Sequence, residues 1–171
     1  MGSEVEMMKV IPMTRKERQM PEDEAKQFLQ SSNVGRLGIN DSGPYVIPFL
    51  YFYDPKKGEI YLHCAKKGRK NEALKANSDV CFEVDEMKNI VEGDKPCEYD
   101  LIFRSVVVFG QASFVNEPQS KADLLNLIFT KYSGKSGQNI DAKTAEGTQI
   151  IKIKIASLTG KEGKGVVIPY P

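Results

Sequence analysis

The sequence predicts a mainly β fold with flanking α-helices, built as a small antiparallel barrel. Three observations carry that expectation. Stretches rich in Val, Ile, Tyr and Phe alternate apolar and polar residues with a period of two, which is the mark of half-buried strands. Hairpin-length turns of Asp, Gly, Pro and Ser separate most of them. Helical periodicity is confined to three stretches, 21–32, 69–77 and 120–132.

In chain order, residues 1–20 read as an N-terminal arm. MPEDEAKQFLQSS follows, with Pro21 and the acids Glu22, Asp23 and Glu24 in the first turn, where the helix dipole favours negative charge. Ala25, Phe28 and Leu29 share one face of this helix. VGRLGIN and PYVIPFLYF flank Asp41-Ser42-Gly43 and form a hairpin. Pro44 and Pro48 lack ladder donors, so the second of these strands is expected to be an edge or to carry a bulge, leaving backbone groups free for a ligand. In EIYLHCA, Ile60 and Leu62 face one way and Tyr61 and His63 the other. RKNEALKAN reads as a short helix burying Ala73 and Leu74.

DVCFEVDEM sets Val80, Phe82 and Val84 against Cys81, Glu83 and Asp85, and residues 87–98 read as a loop. The apolar run 99–115 exceeds an ordinary strand, and Gly110 is placed to bend or bulge it. SKADLLNLIFTKY puts Leu124, Leu125, Ile128 and Tyr132 at helical spacing. After a polar loop at 134–147, TQIIKIKIASL alternates Ile151, Ile153 and Ile155 against Lys152 and Lys154, and a tail begins at Gly160.

At 171 residues the chain fits one domain, 1–171, with a substantial core. A net charge of +1 argues against a nucleic-acid or anionic-membrane partner, which requires a large excess of Lys and Arg. Three cysteines without a CxxC pair and a single histidine do not make a zinc site, and they fit reduced thiols in a cytoplasmic protein. The chain contains no apolar run of about 18 residues that would span a bilayer.

GxSxG, GxGxxG and the Walker sequence are all absent, and Cys64 points away from its neighbour His63 along the strand. Catalytic residues therefore stay unassigned, and any difficult chemistry would fall to a cofactor. The stretch that stands out is YLHCAKKGRK, residues 61–70, in which Lys66, Lys67, Arg69 and Lys70 surround Gly68 between a strand and a helix. Backbone N–H groups at a helix start and fixed cations both favour a phosphate there. A solvated lysine-rich turn and a nucleic-acid patch are the other readings of such a run. The neutral chain and the lack of interleaved aromatics weigh against the last of these.

The order strand, HCAKKGRK, short helix, NSDVCFEV and then FRSVVVFGQA, spanning roughly residues 33–132, resembles the pyridoxamine 5′-phosphate oxidase-like flavoproteins, the FMN-binding split β-barrel superfamily. GRLG, PYVIP, the histidine and GRK most resemble its nitroimidazole-resistance (Nim-like) branch. The resemblance implies an antiparallel split β-barrel with FMN as cofactor. Val46, Ile47, Pro48 and Phe49 would run beside the flavin ring, Arg69 and Lys70 would hold its phosphate, and Lys67 and Gly68 would complete the cradle. His63 and Cys64 would line the same cofactor, and Ser105 stands where the oxidases carry a flavin-contacting glutamine.

The Ser105 difference and the lack of any arginine after Arg104 speak against true pyridoxamine-phosphate oxidation. The implied activity is an FMN-dependent oxidoreductase passing electrons from a reduced nicotinamide or other donor to a small-molecule substrate, for instance a nitroaromatic or nitroimidazole. The alternative is a non-catalytic flavin-, haem- or deazaflavin-binding module acting as sensor or store. The family also implies a homodimer with FMN at the subunit interface. Val106, Val108 and Phe109 suit either that interface or the core. The loop 134–147 would serve as a lid.

Overall fold

The computed structural model describes residues 12–135 and 139–164. Six strands close into a barrel: β1 (Val34–Asn40), β2 (Pro44–Asp54), β3 (Glu59–Ala65), β4 (Asp79–Val91), β5 (Asp100–Val115) and β6 (Thr148–Lys164). Their order around the barrel is β1-β2-β3-β6-β5-β4, and every pairing is antiparallel. Four α-helices lie between strands or before them: α1 (Glu22–Ser31), α2 (Arg69–Ala76), α3 (Pro118–Ser133) and α4 (Ala142–Ala145). None is long and apolar enough to cross a membrane. The inward residues of the strands, among them Leu37, Tyr51, Phe82, Val84, Val106, Val108, Ile151 and Ile153, make the core, and α1 adds Phe28 and Leu29.

The proline-bearing strand behaves as its composition requires. Residues 44–50 of β2 pair with β1 and residues 51–54 pair with β3, so among the described residues the proline half has an open edge where β3 diverges. Tyr132 of α3 sits at this divergence. Its hydroxyl accepts the Tyr51 N–H at 2.8 Å and lies within donating distance of two carbonyls, Asn33 at 2.6 Å and Tyr51 at 3.0 Å. The neighbouring Lys131 ammonium donates to Ser32 O at 2.7 Å and lies 3.9 Å from the centre of the Tyr51 ring. Together they bind α3 to the β1–β2 junction and to the end of α1.

Several expectations change. Residues 87–91, read as loop, continue β4 and pair with β5 as far as Val91 opposite Asp100, across an irregularity at Met87/Asn89. The tail read from Gly160 continues β6 to Lys164, opposite Ile102. Neither MKNIV nor GKEGK alternates apolar and polar residues with a period of two, and partner strands supply their order. The arm expected over 1–20 lies partly outside the described residues. Its described end docks on the barrel, with Gln19 bridged to Lys161, the Met20 N–H donating to Gly160 O at 3.0 Å, and Met20 buried.

Val106 and Val108 belong to the barrel core, so the interface reading fails for them, while Phe109 is only half-buried. Tyr61, expected on the face away from the core, is also buried, and its hydroxyl donates to Glu59. Gly110 does break the register of β5 against β6, and a Cβ there would fall 2.3 Å from Lys154 O. Residues 136–138 of the loop given a lid role lie outside the described residues; α4 occupies part of the remainder, capped by Asp141 through the Thr144 N–H at 2.7 Å.

Replacing Tyr132 by Phe leaves the Tyr51 N–H without its acceptor at a part-buried position. That costs about 1–3 kcal/mol, read as a lower urea midpoint with an unchanged slope.

Candidate functional site

Strand β3 ends at Ala65, and three residues later the chain turns into α2. Gly68 makes the turn at φ 142°, a conformation that side-chain-bearing residues rarely adopt, and its carbonyl takes the Asn71 N–H at 3.0 Å. A Cβ on Gly68 would meet nothing within 4 Å, so the space over the loop is open. The N–H groups of Arg69 and Lys70, in the first turn, have no intrahelical acceptor, which is the general condition of a helix start.

Asn71 locks this loop. It is only 1% exposed, and its side-chain nitrogen donates to Ala65 O and Lys66 O, both at 2.9 Å, while its oxygen faces Cys64 Sγ at 3.5 Å. One amide thus ties strand end, loop and helix together. Sequence reasoning passed over it. The available signal was a lone polar residue three positions before Leu74, on the helix face that turns inward. Burial pushes the Cys64 thiol pKa up, against the opposing pull of Lys70 and Asn71, so Cys64 is an uncharged wall rather than a thiolate.

Of the four cations, Arg69 is engaged by Asp41 from the β1–β2 turn, through its Nε. The Asp41 carboxylate raises the guanidinium pKa, and the guanidinium carbon lies 4.4 Å from the centre of the Tyr45 ring. Lys66, Lys67 and Lys70 form no ion pair among the described residues. Unneutralised ammonium groups beside free N–H donors suit an oxyanion cluster such as a phosphate monoester.

The other candidates divide between two hollows. His63 is half-buried, with Nδ1 enclosed and without a hydrogen-bond partner among the described residues. It lines an apolar pocket of about 400 Å³ with Leu50 from β2 and Leu125, Ile128, Phe129 and Tyr132 from α3. Val46 lines a more open groove of about 530 Å³ on the other side of the hairpin, over Gly38, Tyr45, Cys81 and Phe109. Along the open half of β2, Val46 and Pro48 are exposed, whereas Ile47 and Phe49 turn to the core. Those two could serve a ligand only through backbone groups. Ser105 lies apart, opposite Asp85 and Lys161 in the ladder and in neither hollow.

The fold recurs in solved structures. One is a candidate 5-nitroimidazole antibiotic resistance protein from Bacteroides thetaiotaomicron, 22% identical, with a TM-score of 0.73 over 84% of this chain and 85% of that one. Another is the flavocytochrome Anf3 from Azotobacter vinelandii, 21% identical, with a TM-score of 0.77 over 90% and 72% of the two chains. A third is an FAD-binding protein from Mesorhizobium loti, 24% identical, with a TM-score of 0.61 over 86% and 98%. No curated protein matches the sequence. The model of the pyridoxamine 5′-phosphate oxidase family matches residues 21–162, across all six strands up to Glu162, and the chain belongs to that family.

Proposed function

We propose that this protein is an FMN-binding oxidoreductase that works as a homodimer and reduces a small acceptor. The observation that carries the reading is the cradle at the start of α2, where Lys66, Lys67 and Lys70 form no ion pair among the described residues and the N–H groups of Arg69 and Lys70 have no intrahelical acceptor, beside the open edge of β2. A cofactor with a phosphate at one end and a flat ring carrying polar edges meets both features. Family membership supports the reading, as do similar structures described as a flavocytochrome and an FAD-binding protein.

Arg69 and Lys70 would hold the phosphate, with Lys67 and Gly68 closing the cradle. Val46, Ile47, Pro48 and Phe49 would offer main-chain groups to the ring edge, and His63 and Cys64 would form a wall. When bound, the flavin supplies reversible hydride and electron transfer. The protein's part is to anchor, orient and exclude water. Ser105 would need a second subunit to bring it near.

Such a subunit has somewhere to dock: Val46 is 61% exposed, and Val34 and Leu50, paired with each other in the ladder, are also exposed. A nitroaromatic or nitroimidazole acceptor fits this reading, being planar and easily reduced. A second reading, a non-catalytic flavin-, haem- or deazaflavin-binding module, is favoured by His63, whose enclosed and unpaired Nδ1 in an apolar pocket suits a planar guest. The absorption spectrum of the purified or reconstituted protein separates them: flavin bands reducible by a nicotinamide and reoxidised by a nitroimidazole support the enzyme, and a Soret band supports the haem module.

Changing Arg69 and Lys70 together to Met lowers FMN affinity roughly a hundredfold in a fluorescence titration while riboflavin binding stays the same, because only charge-assisted phosphate contacts are lost. Equal FMN binding by the two proteins would sink the assignment. Light scattering is expected to give twice the 19.1 kDa chain mass, and Val46→Glu is expected to shift the protein to the monomer and weaken flavin binding.

A further inference from the structure

We propose that Asp41 is a positioning residue of the cradle, holding Arg69 by one edge so that the other presents a ready fork to a phosphate monoester. The inference rests on the part of the proposed function that makes the cradle a phosphate site, and it concerns a residue on a different element from the HCAKKGRK stretch.

Arg69 alone would be a poor anchor. Its side chain is 64% exposed, and a free arginine must give up much rotamer freedom to make a bidentate contact. Two constraints remove that freedom. Asp41 accepts from Nε, fixing one edge of the guanidinium plane, and the Tyr45 ring lies 4.4 Å from the guanidinium carbon, covering one face. Neither engages the terminal Nη1 and Nη2 groups, which have no hydrogen-bond partner among the described residues. What remains available is a planar pair of donors, the arrangement that matches two oxygens of a phosphate.

Asp41 is itself held. Its N–H donates to Gly43 O at 2.8 Å, the Gly43 N–H donates to Asn40 Oδ1 at 3.1 Å, and Ser42 takes the left-handed conformation at φ 55° that closes the turn. The carboxylate is 26% exposed, much less than its partner. A hairpin turn thus carries a fixed acceptor to the start of a helix that follows it by 28 residues.

A carboxylate beside an anion site could instead compete with the ligand. The atom it binds decides against this. A competitor would occupy the terminal fork, whereas Asp41 sits on Nε and need not leave when a phosphate arrives. Its charge is engaged by the guanidinium, and Lys66, Lys67 and Lys70 outnumber it around the loop.

The test compares FMN with riboflavin, which lacks the phosphate, on the full chain and on Asp41→Ala and Asp41→Asn variants. Asp41→Ala binds FMN about fivefold to tenfold more weakly, with riboflavin unchanged, because the fork must then be ordered by the ligand. Asp41→Asn stays within about twofold of the parent protein, since the amide oxygen still accepts from Nε. FMN binding by Asp41→Ala that equals or exceeds the parent's overturns the proposal, as does an Asp41→Asn variant no better than Asp41→Ala. If the parent protein binds neither flavin, inorganic phosphate is titrated while the Arg69 Nε–H resonance is followed by NMR. A shift present in the parent and in Asp41→Asn but lost in Asp41→Ala ends the flavin reading and keeps this one; no shift in the parent overturns both.

Discussion

The constraint on which the rest depends is that one strand, β2, divides its pairing between two neighbours. Its first half lies against β1 and its second against β3, so the barrel closes as a ring of six strands yet opens beside residues 44–50. The prolines contribute directly. Pro44 and Pro48 bring no N–H to the ladder, and a third strand placed there would find missing donors. An unpaired edge inside a domain invites aggregation unless it is covered or filled. The chain places a helix and a cationic loop around it.

Those two elements are secured differently. Helix α2 is short and polar, with little capacity to hold itself together in water. It is kept in place by Ala73 and Leu74 in the core and by Asn71, which bonds to the loop it follows. The arrangement leaves the cationic side chains uncommitted. Helix α3 is longer and lies on the opposite side of the split, anchored at its C-terminal end by Lys131 and Tyr132 and at its start by Glu117, which accepts from the N–H groups of Gln119 and Ser120. His63 faces an apolar hollow beside α3, and Arg69 at the start of α2 is 64% exposed.

Much of this was legible in the sequence, wherever one face of an element is wet and the other dry. Ala25, Phe28 and Leu29 of α1, the alternation of Val80, Phe82 and Val84, and Gly110 at the register break all follow from periodicity or from the special geometry of glycine. In 87–91, where nearly every residue is exposed, and in 160–164, where two glycines rather than apolar side chains take the buried positions, the period is absent and the partner strand imposes the order. Tyr61 misled because alternation separates two faces without saying that only one is covered. The cradle's cations are adjacent in the chain and so could be recognised. The inward position of Asn71 could be read from helical spacing, but its role and that of Asp41 could not, because they depend on contacts made in three dimensions: an amide turned back on its own loop, and a turn residue brought across 28 positions.

Tyr132 has two duties at once. The same ring lines the pocket with His63, and its hydroxyl closes the main chain where β1, β2 and α3 meet. The Lys131 ammonium beside it reaches the end of α1, so three segments far apart in the chain share one joint. A guest in that pocket touches the joint itself, and its binding energy is felt by the whole barrel as resistance to unfolding. Occupancy of the pocket and melting temperature would then be two readings of a single equilibrium.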